Sequence, residues 1–369
     1  MAAKRKSKIE ERLKASLDGG DYYNALQTIK VLYSRYNSQG KSDECISLLY
    51  NGASELLKKD KWESGTEISL ILVNHLKDKK LPITTDLINK LESLFHCYKF
   101  LKDEDCIQHP KLPLLRLYPS IASLDKEGAA RLHAMQINRD LFMKAVLKWT
   151  SLVDESLKYG HTKLHKLLAL SYFQEGELEK ARKHFLYCDL PDEFGQLLVD
   201  LSYKEAKPHE IEMFITQAVL QLLVLEKKDV ALKTYKTYCR NHSLVGSFMP
   251  PPFPHYPLLN FTWFLLHSLD IGSTDVFHCL CHCYIQAISW DPLYHNYLSK
   301  IGDIYFGIKT TKDNSSGGGL MDLLSGQNIS SLMSSLGGLP DELPWQQQAP
   351  APVQQLQESD LLETVEGLD

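Results

Sequence analysis

The residues of this chain best suited to chemistry are histidines and cysteines that stand close together. Residues 278–283 read HCLCHC. Imidazole nitrogens and thiolates are the usual ligands of zinc, and residues 278 and 282, like 279 and 283, are one helical turn apart. No second ligand pair follows at zinc-finger spacing, and apolar residues continue on both sides. The pattern favours reduced core thiols in an apolar helix, with a zinc site as the alternative.

Other signatures of catalysis are incomplete. His161 and His165 stand four apart, but no glutamate follows His161 as a zinc-protease motif requires, so the pair indicates a helix start. The glycines at 317–319 are not followed by the Lys-Ser/Thr pair with which a nucleotide-binding loop binds phosphate. The sequence also contains neither a nucleophile elbow nor the set of kinase motifs. The sequence therefore predicts a protein that is not an enzyme and holds no metal or cofactor.

The elements that would position these residues are helices. Apolar residues recur with a period of about 3.6 along most of the chain, and prolines and glycines separate the periodic segments. Helices are predicted at residues 7–18, 22–38, 42–59, 62–77, 82–97, 126–151, 162–174, 177–188, 191–205, 209–226, 228–241, 256–269, 273–289 and 292–307. No segment reads as a strand, although a short hairpin around 244–256 is an alternative. Residues 103–125 and 247–257 are rich in proline and read as an extended loop and an ordered connector.

Residues 164–185 form the clearest repeat unit, two short helices separated by Gly176. Ala181 lies in the second helix with Phe185 one turn beyond it. A small residue at the closest approach, with an aromatic beside it, lets antiparallel helices interlock as in tetratricopeptide units. Residues 20–25 repeat the glycine-to-alanine spacing. The sequence therefore predicts an all-α protein, a right-handed α-solenoid of tetratricopeptide-like helical hairpins over residues 7–308.

Composition predicts a cytosolic protein. The 369 residues are 44% hydrophobic and 24% charged, as in soluble proteins. The N-terminus lacks the apolar stretch of a signal peptide, and no apolar run could span a bilayer, so no direct membrane insertion is expected. The eight cysteines lie mostly in apolar helical patterns and read as reduced. Residues 1–6 read as a flexible basic terminus, with a nuclear signal or a phosphate-binding arm as alternatives for the basic run.

The C-terminal residues differ from the rest of the chain. Residues 313–369 contain nine acids and no lysine or arginine, so the preceding body has a net charge of about +4. That net charge is too small to indicate nucleic-acid binding, and the sequence contains no RNA-binding motif. Residues 309–369 are rich in Gly, Ser, Gln and Pro, which predicts a disordered acidic tail. A short partner-binding helix within 319–338 or 361–369 is an alternative to plain disorder.

Several segments together resemble the Golgi-to-ER-traffic protein four family. They are GDYYNALQ (20–27), the Arg35-Tyr36 pair, HTKLHKLLALSYF (161–173), EMFITQAVLQLLVL (212–225), PLLNFTWFLL (257–266) and DPLYHNYLSKIGDIYFG (291–307). The resemblance implies a non-enzymatic adaptor in the targeting of tail-anchored membrane proteins. It further implies that the N-terminal half, about 7–150, faces the targeting ATPase. The C-terminal half, about 151–308, would hold a ubiquitin-like protein, and in animals a Bag-family scaffold joins.

The resemblance also implies contact residues. For the ATPase they are Tyr22, Arg35 and Glu67. An aromatic after a turn glycine commonly packs in the core, which is expected for Tyr23 and is the alternative for Tyr22. For the ubiquitin-like partner they are Trp263, Phe264, Tyr294, Tyr297 and Phe306. Two departures from the family pattern stand out: Ser38 replaces a basic residue of the fungal members, so the ATPase contact is altered or lost, and residues 98–138 are longer than usual. The remaining alternative is a tetratricopeptide-like scaffold of a proteasome lid or vesicle coat, although no C-terminal winged-helix strand pattern supports the lid.

Overall fold

Helices make up almost all of the regular structure in the described part of the chain. The computed structural model describes residues 13, 15–98, 107–108, 116–117, 121, 123–207, 210–248 and 250–308. Its helices are α1 (Tyr22–Ser38), α2 (Ser42–Lys58), α3 (Trp62–Asp78), α4 (Thr85–Phe95), α5 (Lys126–Val153), α6 (Thr162–Gln174), α7 (Leu178–Phe185), α8 (Pro191–Glu205), α9 (Ile211–Val224), α10 (Lys228–Asn241), α11 (Ser243–Gly246), α12 (Pro257–Ile271), α13 (Thr274–Cys283), α14 (Ile285–Ile288) and α15 (Leu293–Phe306). The predicted helix 7–18 lies mostly outside the described residues, as do the basic N-terminus and the acidic tail.

The helices follow one another as a stack in which each contacts its near neighbours. Consecutive helices pack together, as α2 does with α3 and α6 with α7, and helices two apart also meet, as α8 does with α10 and α3 with α5. This pattern of short-range contacts is that of a solenoid. The prediction of an all-α solenoid is confirmed. At the C-terminal end of the stack, the last helix, α15, packs along α9.

A common turn geometry joins several of these helices. The second residue after five of the helices has a left-handed backbone, with φ of 69° at Gly40, 58° at Asp60, 48° at Lys80, 77° at Gly176 and 60° at Glu226. Gly20, two residues after the helical residues 15–18, likewise has φ of 79°. The next N–H then reaches back to a carbonyl five residues earlier, as Lys41 N does to Tyr36 O at 3.1 Å. This bond satisfies a carbonyl that the helix end would otherwise leave free.

Two helix predictions need correction, one because the helix is interrupted and one because it begins later. The predicted helix 273–289 is two helices, because Tyr284 has φ −108° and ψ 16°, which ends α13. The predicted helix 82–97 begins only at Thr85, where the Thr84 side chain accepts the N–H of Leu87 at 3.3 Å and caps the first turn.

A small β-ladder occurs where the sequence predicted no strand. β1 (Ile107–Gln108) pairs antiparallel with β2 (Arg116–Leu117), so that Ile107 stands opposite Leu117. The prediction of no strand was therefore wrong here. In the sequence, prolines 110, 113 and 119 disfavour a helix in this region, because a proline restricts the residue before it. The alternative hairpin at 244–256 was also wrong, because α11 occupies its start.

Candidate functional site

Two pairs of side chains, all at least partly exposed, join α1 to α3 and to the residue before it near the N-terminal end. The ammonium of Lys61 lies 5.0 Å from the centre of the Tyr22 ring, and Lys30 forms an ion pair with Glu67. We call these four residues the N-terminal face. Lys30 and Glu67 are both partly open to solvent, so they can exchange their mutual contact for a partner's charges. Two of the three predicted ATPase-contact residues, Tyr22 and Glu67, thus take part in contacts that join α1 to α3 or to the residue before it.

The third predicted residue lies elsewhere on the same helix. Arg35 is exposed and stands about 140° around α1 from Tyr22. Its carbonyl oxygen accepts the hydroxyl of Ser38 at 2.9 Å, so Ser38 serves to close the last turn of α1. Arg35 is therefore not part of the N-terminal face.

The expectation that Tyr23 packs in the core was wrong. Its side chain is 70% exposed, whereas Tyr22 is half-buried. The buried stripe of α1 includes Ala25, Leu26 and Ile29, which lie three, four and seven positions after Tyr22. Those are the spacings that share a helix face, so Tyr22 lies beside the core and Tyr23 points away from it.

Of the two predicted aromatic residues of α12, Trp263 lies on the side that faces α10 and Phe264 lies on the side that faces solvent. The Trp263 ring stands 4.2 Å from His267 and 5.9 Å from Tyr235 of α10, measured between ring centres. Trp263 is thus half-buried between two helices, whereas Phe264 next to it is exposed. Of the two, Phe264 is the side chain that a partner can reach without moving a helix.

The predicted residues of α15 divide into one core residue and two half-buried ones. Tyr294 is only 1% exposed, and its hydroxyl donates to the carbonyl of Met213 in α9 at 3.3 Å. It is a packing residue and offers no ring surface to a partner. Tyr297 accepts the side-chain N–H of Gln221 at 3.0 Å, and Phe306 stacks on Phe277 at 4.6 Å. Both keep part of their rings open.

Two exposed apolar residues of α15 were missed in the sequence. Leu293 and Ile304 are exposed, and with Tyr297 and Lys300 they stand at spacings of four, three and four along one side of the helix. We call these four residues the α15 face. The helical period would have grouped them, but a second apolar stripe through Tyr294, Leu298 and Ile301 is equally regular in sequence. Only the packing on α9 shows which stripe is buried.

A buried carboxylate holds α12 and α9 together and so positions this end of the stack. Glu212 of α9 is buried, and its Oε2 accepts the N–H groups of Leu258 and Leu259 at 2.8 and 3.3 Å. These are free N–H groups of the first turn of α12, which a carboxylate satisfies well. Burial raises the pKa of Glu212 to about 7, and the two N–H bonds oppose that shift.

The histidines and cysteines with metal-like spacing do not converge on a site. In the described ranges, no three His, Cys, Asp or Glu side chains are arranged to hold a metal ion. Cys281 is buried, which raises its pKa to about 12 and keeps the thiol protonated. His161 caps α6, because its Nδ1 accepts the N–H of Lys163 at 3.2 Å. Among the described helices, none combines the length and apolar character that crossing a bilayer requires.

Comparison with known proteins gives concordant matches. The family model for Golgi to ER traffic protein 4 matches residues 39–326. The Golgi to ER traffic protein 4 homologs of Xenopus tropicalis and Homo sapiens are each 33% identical over 328 residues, which is 89% of this chain and 87% of each relative. The crystal structure of C. therm. Get4 matches with a TM-score of 0.65 and 21% identity, over 90% of this chain and 96% of that one. At that identity the structural likeness concerns the fold, and the sequence matches concern the family.

Proposed function

Because the chain belongs to the Golgi to ER traffic protein 4 family, we propose that it is a non-enzymatic adaptor in the targeting of tail-anchored membrane proteins to the ER. The resemblance noted in the sequence is thereby confirmed. The adaptor would work in the cytosol, where it links a ubiquitin-like protein and a Bag-family scaffold to the targeting ATPase.

The observation that supports an adaptor is the presence of two exposed faces on different helices of one solenoid. The N-terminal face is charged and aromatic, with Lys61 beside Tyr22 and Lys30 paired with Glu67. The α15 face is mainly apolar, with Leu293, Tyr297 and Ile304. Faces of such different chemistry suit different partners, since charged contacts mainly set partner choice and apolar contacts mainly supply affinity.

We assign the N-terminal face to the targeting ATPase and the α15 face, with Phe264, to the ubiquitin-like protein. An adaptor of this kind performs no bond chemistry. It acts on the ATPase by binding one conformation more tightly than another, because a ligand shifts an equilibrium only by its difference in affinity. The role of the adaptor is then to hold the ATPase in the conformation that receives a substrate.

Separate substitutions on the two faces test this assignment. Tyr22→Ala should weaken ATPase binding about tenfold or more, as for loss of an interface anchor, and leave the ubiquitin-like protein bound. Tyr297→Ala with Leu293→Ala should do the reverse. Both would be measured by titration of the purified full chain with each partner, after circular dichroism shows that the variants are folded.

A folded Tyr22→Ala variant that loses both partners would contradict separate faces. Full retention of both partners by both variants would contradict the assignment of the faces. Purification of the chain from cytosol with proteasome-lid or coat subunits, and without the two partners, would contradict the function itself.

A further inference from the structure

The outer side of α5 carries a continuous line of exposed residues that neither proposed face uses. The residues of this line, here called the α5 stripe, are all exposed: Ala130, His133, Ile137, Leu141, Lys144, Lys148 and Leu152. They follow one another at steps of three, four, four, three, four and four. Their average step of about 3.7 residues is close to the helical period, so the stripe runs nearly parallel to the helix axis for about 33 Å.

The stripe is a second apolar side of a helix that already has one. α5 buries Phe142, Met143 and Trp149 against the rest of the solenoid. On the opposite side, Ile137, Leu141 and Leu152 remain 47%, 50% and 57% exposed. Single exposed apolar residues are common, but three large ones in line on one helix mark a contact surface.

The charge of the stripe is positive. Lys144 and Lys148 lie within it, and none of its seven positions is acidic. Neither lysine has an ion pair in the part of the chain that the structure describes. The nearest acid on α5 is Asp140, whose carboxylate accepts the guanidinium N–H groups of Arg139 at 3.2 Å. Asp140 stands one turn before Lys144 but outside the stripe, which itself contains no carboxylate.

We propose that the α5 stripe binds an acidic amphipathic helix of a partner protein. A helix laid along the stripe would place apolar side chains against Ile137, Leu141 and Leu152. Its carboxylates would meet Lys144 and Lys148, which stand one turn apart and so match acids at the same spacing. The straight course of the stripe suits a helix rather than an irregular segment.

The order of side chains along the stripe favours a protein helix over a lipid surface. Lys144 and Lys148 lie between Leu141 and Leu152 in the same line. A bilayer that took up both leucines would have to bury the two ammonium groups between them, whereas a partner helix can pair them with carboxylates. The stripe lies on neither the N-terminal face nor the α15 face, so this proposal is independent of the adaptor function.

Reversal of the charges on the stripe and on a helical peptide tests the proposal. The probe is a fluorescein-labelled peptide with leucine and glutamate along one helical side, and its counterpart carries lysine in place of each glutamate. The acidic peptide should bind the full chain saturably. Lys144→Glu with Lys148→Glu should weaken that binding about tenfold or more and allow the basic peptide to bind. The matched control, Lys204→Glu with Lys233→Glu, reverses two exposed lysines of α8 and α10 and should change neither affinity.

Several results would overturn the proposal. Absence of saturable binding by the acidic peptide is one, and equal affinity for the wild-type and charge-reversed chains is another. Binding of phosphatidylserine vesicles that is lost with the same two substitutions would assign the stripe to a lipid surface. Self-association in sedimentation that is lost in the Leu141→Ser variant would assign it to a second copy of the chain. Circular dichroism would verify that each variant is folded, because all the changed side chains are exposed.

Discussion

At the scale of the residue, neighbouring side chains of one type have opposite roles. Tyr294 and Tyr297 are three positions apart on α15, yet Tyr294 is sealed against α9 and Tyr297 keeps part of its ring open. Tyr22 and Tyr23 are adjacent on α1, and here too one lies beside the core and the other faces solvent. The type of a residue therefore says less about partner contact than the helix face that carries it.

The ion pair on the N-terminal face should matter for binding and hardly for stability. Lys30 and Glu67 are both partly exposed, and exposed pairs contribute about 0–1 kcal/mol. Glu67→Gln should thus change the free energy of unfolding by less than about 1 kcal/mol in urea titrations and weaken ATPase binding. A destabilisation of several kcal/mol would show that the pair holds the solenoid together.

The His165–His184 contact should make stability depend on pH. The two rings meet with their Nδ1 atoms 2.9 Å apart, and burial, followed by the charges of His165 and Arg139, lowers the pKa of His184 to about 4. Well above a pH of about 6.5, the ordinary pKa of histidine, the side chain is neutral in both folded and unfolded chains. As the pH falls from there towards 4, the unfolded chain gains a proton that the folded chain refuses, so the free energy of unfolding falls.

Comparison of wild type with His184→Gln isolates this effect. Glu212 acts oppositely over the same range, because its raised pKa of about 7 adds stability as the pH falls. The difference between wild type and variant cancels that contribution. We expect wild type to lose on the order of 2 kcal/mol relative to the variant between pH 7 and 4, measured by urea unfolding. Parallel pH profiles would mean that the imidazole does not titrate abnormally.

At the scale of the element, the turns between the first helices set a regular spacing. Left-handed residues occur at Gly20, Gly40, Asp60 and Lys80, each twenty positions after the last. In each turn the equivalent backbone carbonyl, five residues before the donor, accepts a hydrogen bond; for example, Leu81 N donates to Leu76 O at 2.9 Å. Asp60 and Lys80 thus adopt a backbone that side chains with a Cβ disfavour, and the helix pairs on both sides keep them there.

Glycine at such a turn should therefore stabilise the protein. Lys80→Gly should raise the free energy of unfolding by about 0.5–1 kcal/mol, because it removes the left-handed strain. Gly40→Ala should lower that free energy by about 1 kcal/mol for the converse reason. Urea unfolding of both variants provides the measurement. A loss of stability in Lys80→Gly would mean that the lysine side chain contributes more than its backbone costs.

At the scale of the whole molecule, stability is distributed along the stack. Most helix contacts in the described part of the chain join near neighbours in sequence, so a defect in one repeat should act mainly on its neighbours. The close packing of α8 on α10 offers a test site. A Cβ at Gly195 would lie 2.8 Å from the Thr237 Cβ and 3.0 Å from the Thr234 carbonyl oxygen, a distance that demands movement of the backbone.

Gly195→Val should consequently loosen one region of the solenoid. We expect amides of α8, α9 and α10 to lose hydrogen-exchange protection by about 1–3 kcal/mol, the usual cost of overpacking. Amides of α1, α2 and α3 should retain wild-type protection. Gly302→Ala is the control, since its new Cβ meets mainly side-chain ends at 3.3 and 3.4 Å. A uniform loss across all helices would indicate that the chain unfolds as one cooperative unit.

Local pattern alone determined the helical class, the order of the helices and most of their bounds. These features depend on the helical period and on capping residues, which act over a few positions. The helical period also places Tyr22, and not Tyr23, next to the buried side of α1, although the prediction placed Tyr23 in the core. The resemblance of six segments was enough to identify the family.

Only the tertiary structure decided which faces are open and which backbones are strained. α15 has two apolar stripes, and its contact with α9, about eighty positions earlier in sequence, buries the one with Tyr294. The same holds for α5, whose two apolar sides look alike until packing covers one. Lys80 takes a left-handed turn that its type does not favour, because the packed helices on either side require it. A helix's period is local, but the choice of its buried side depends on neighbours that lie far away in the chain.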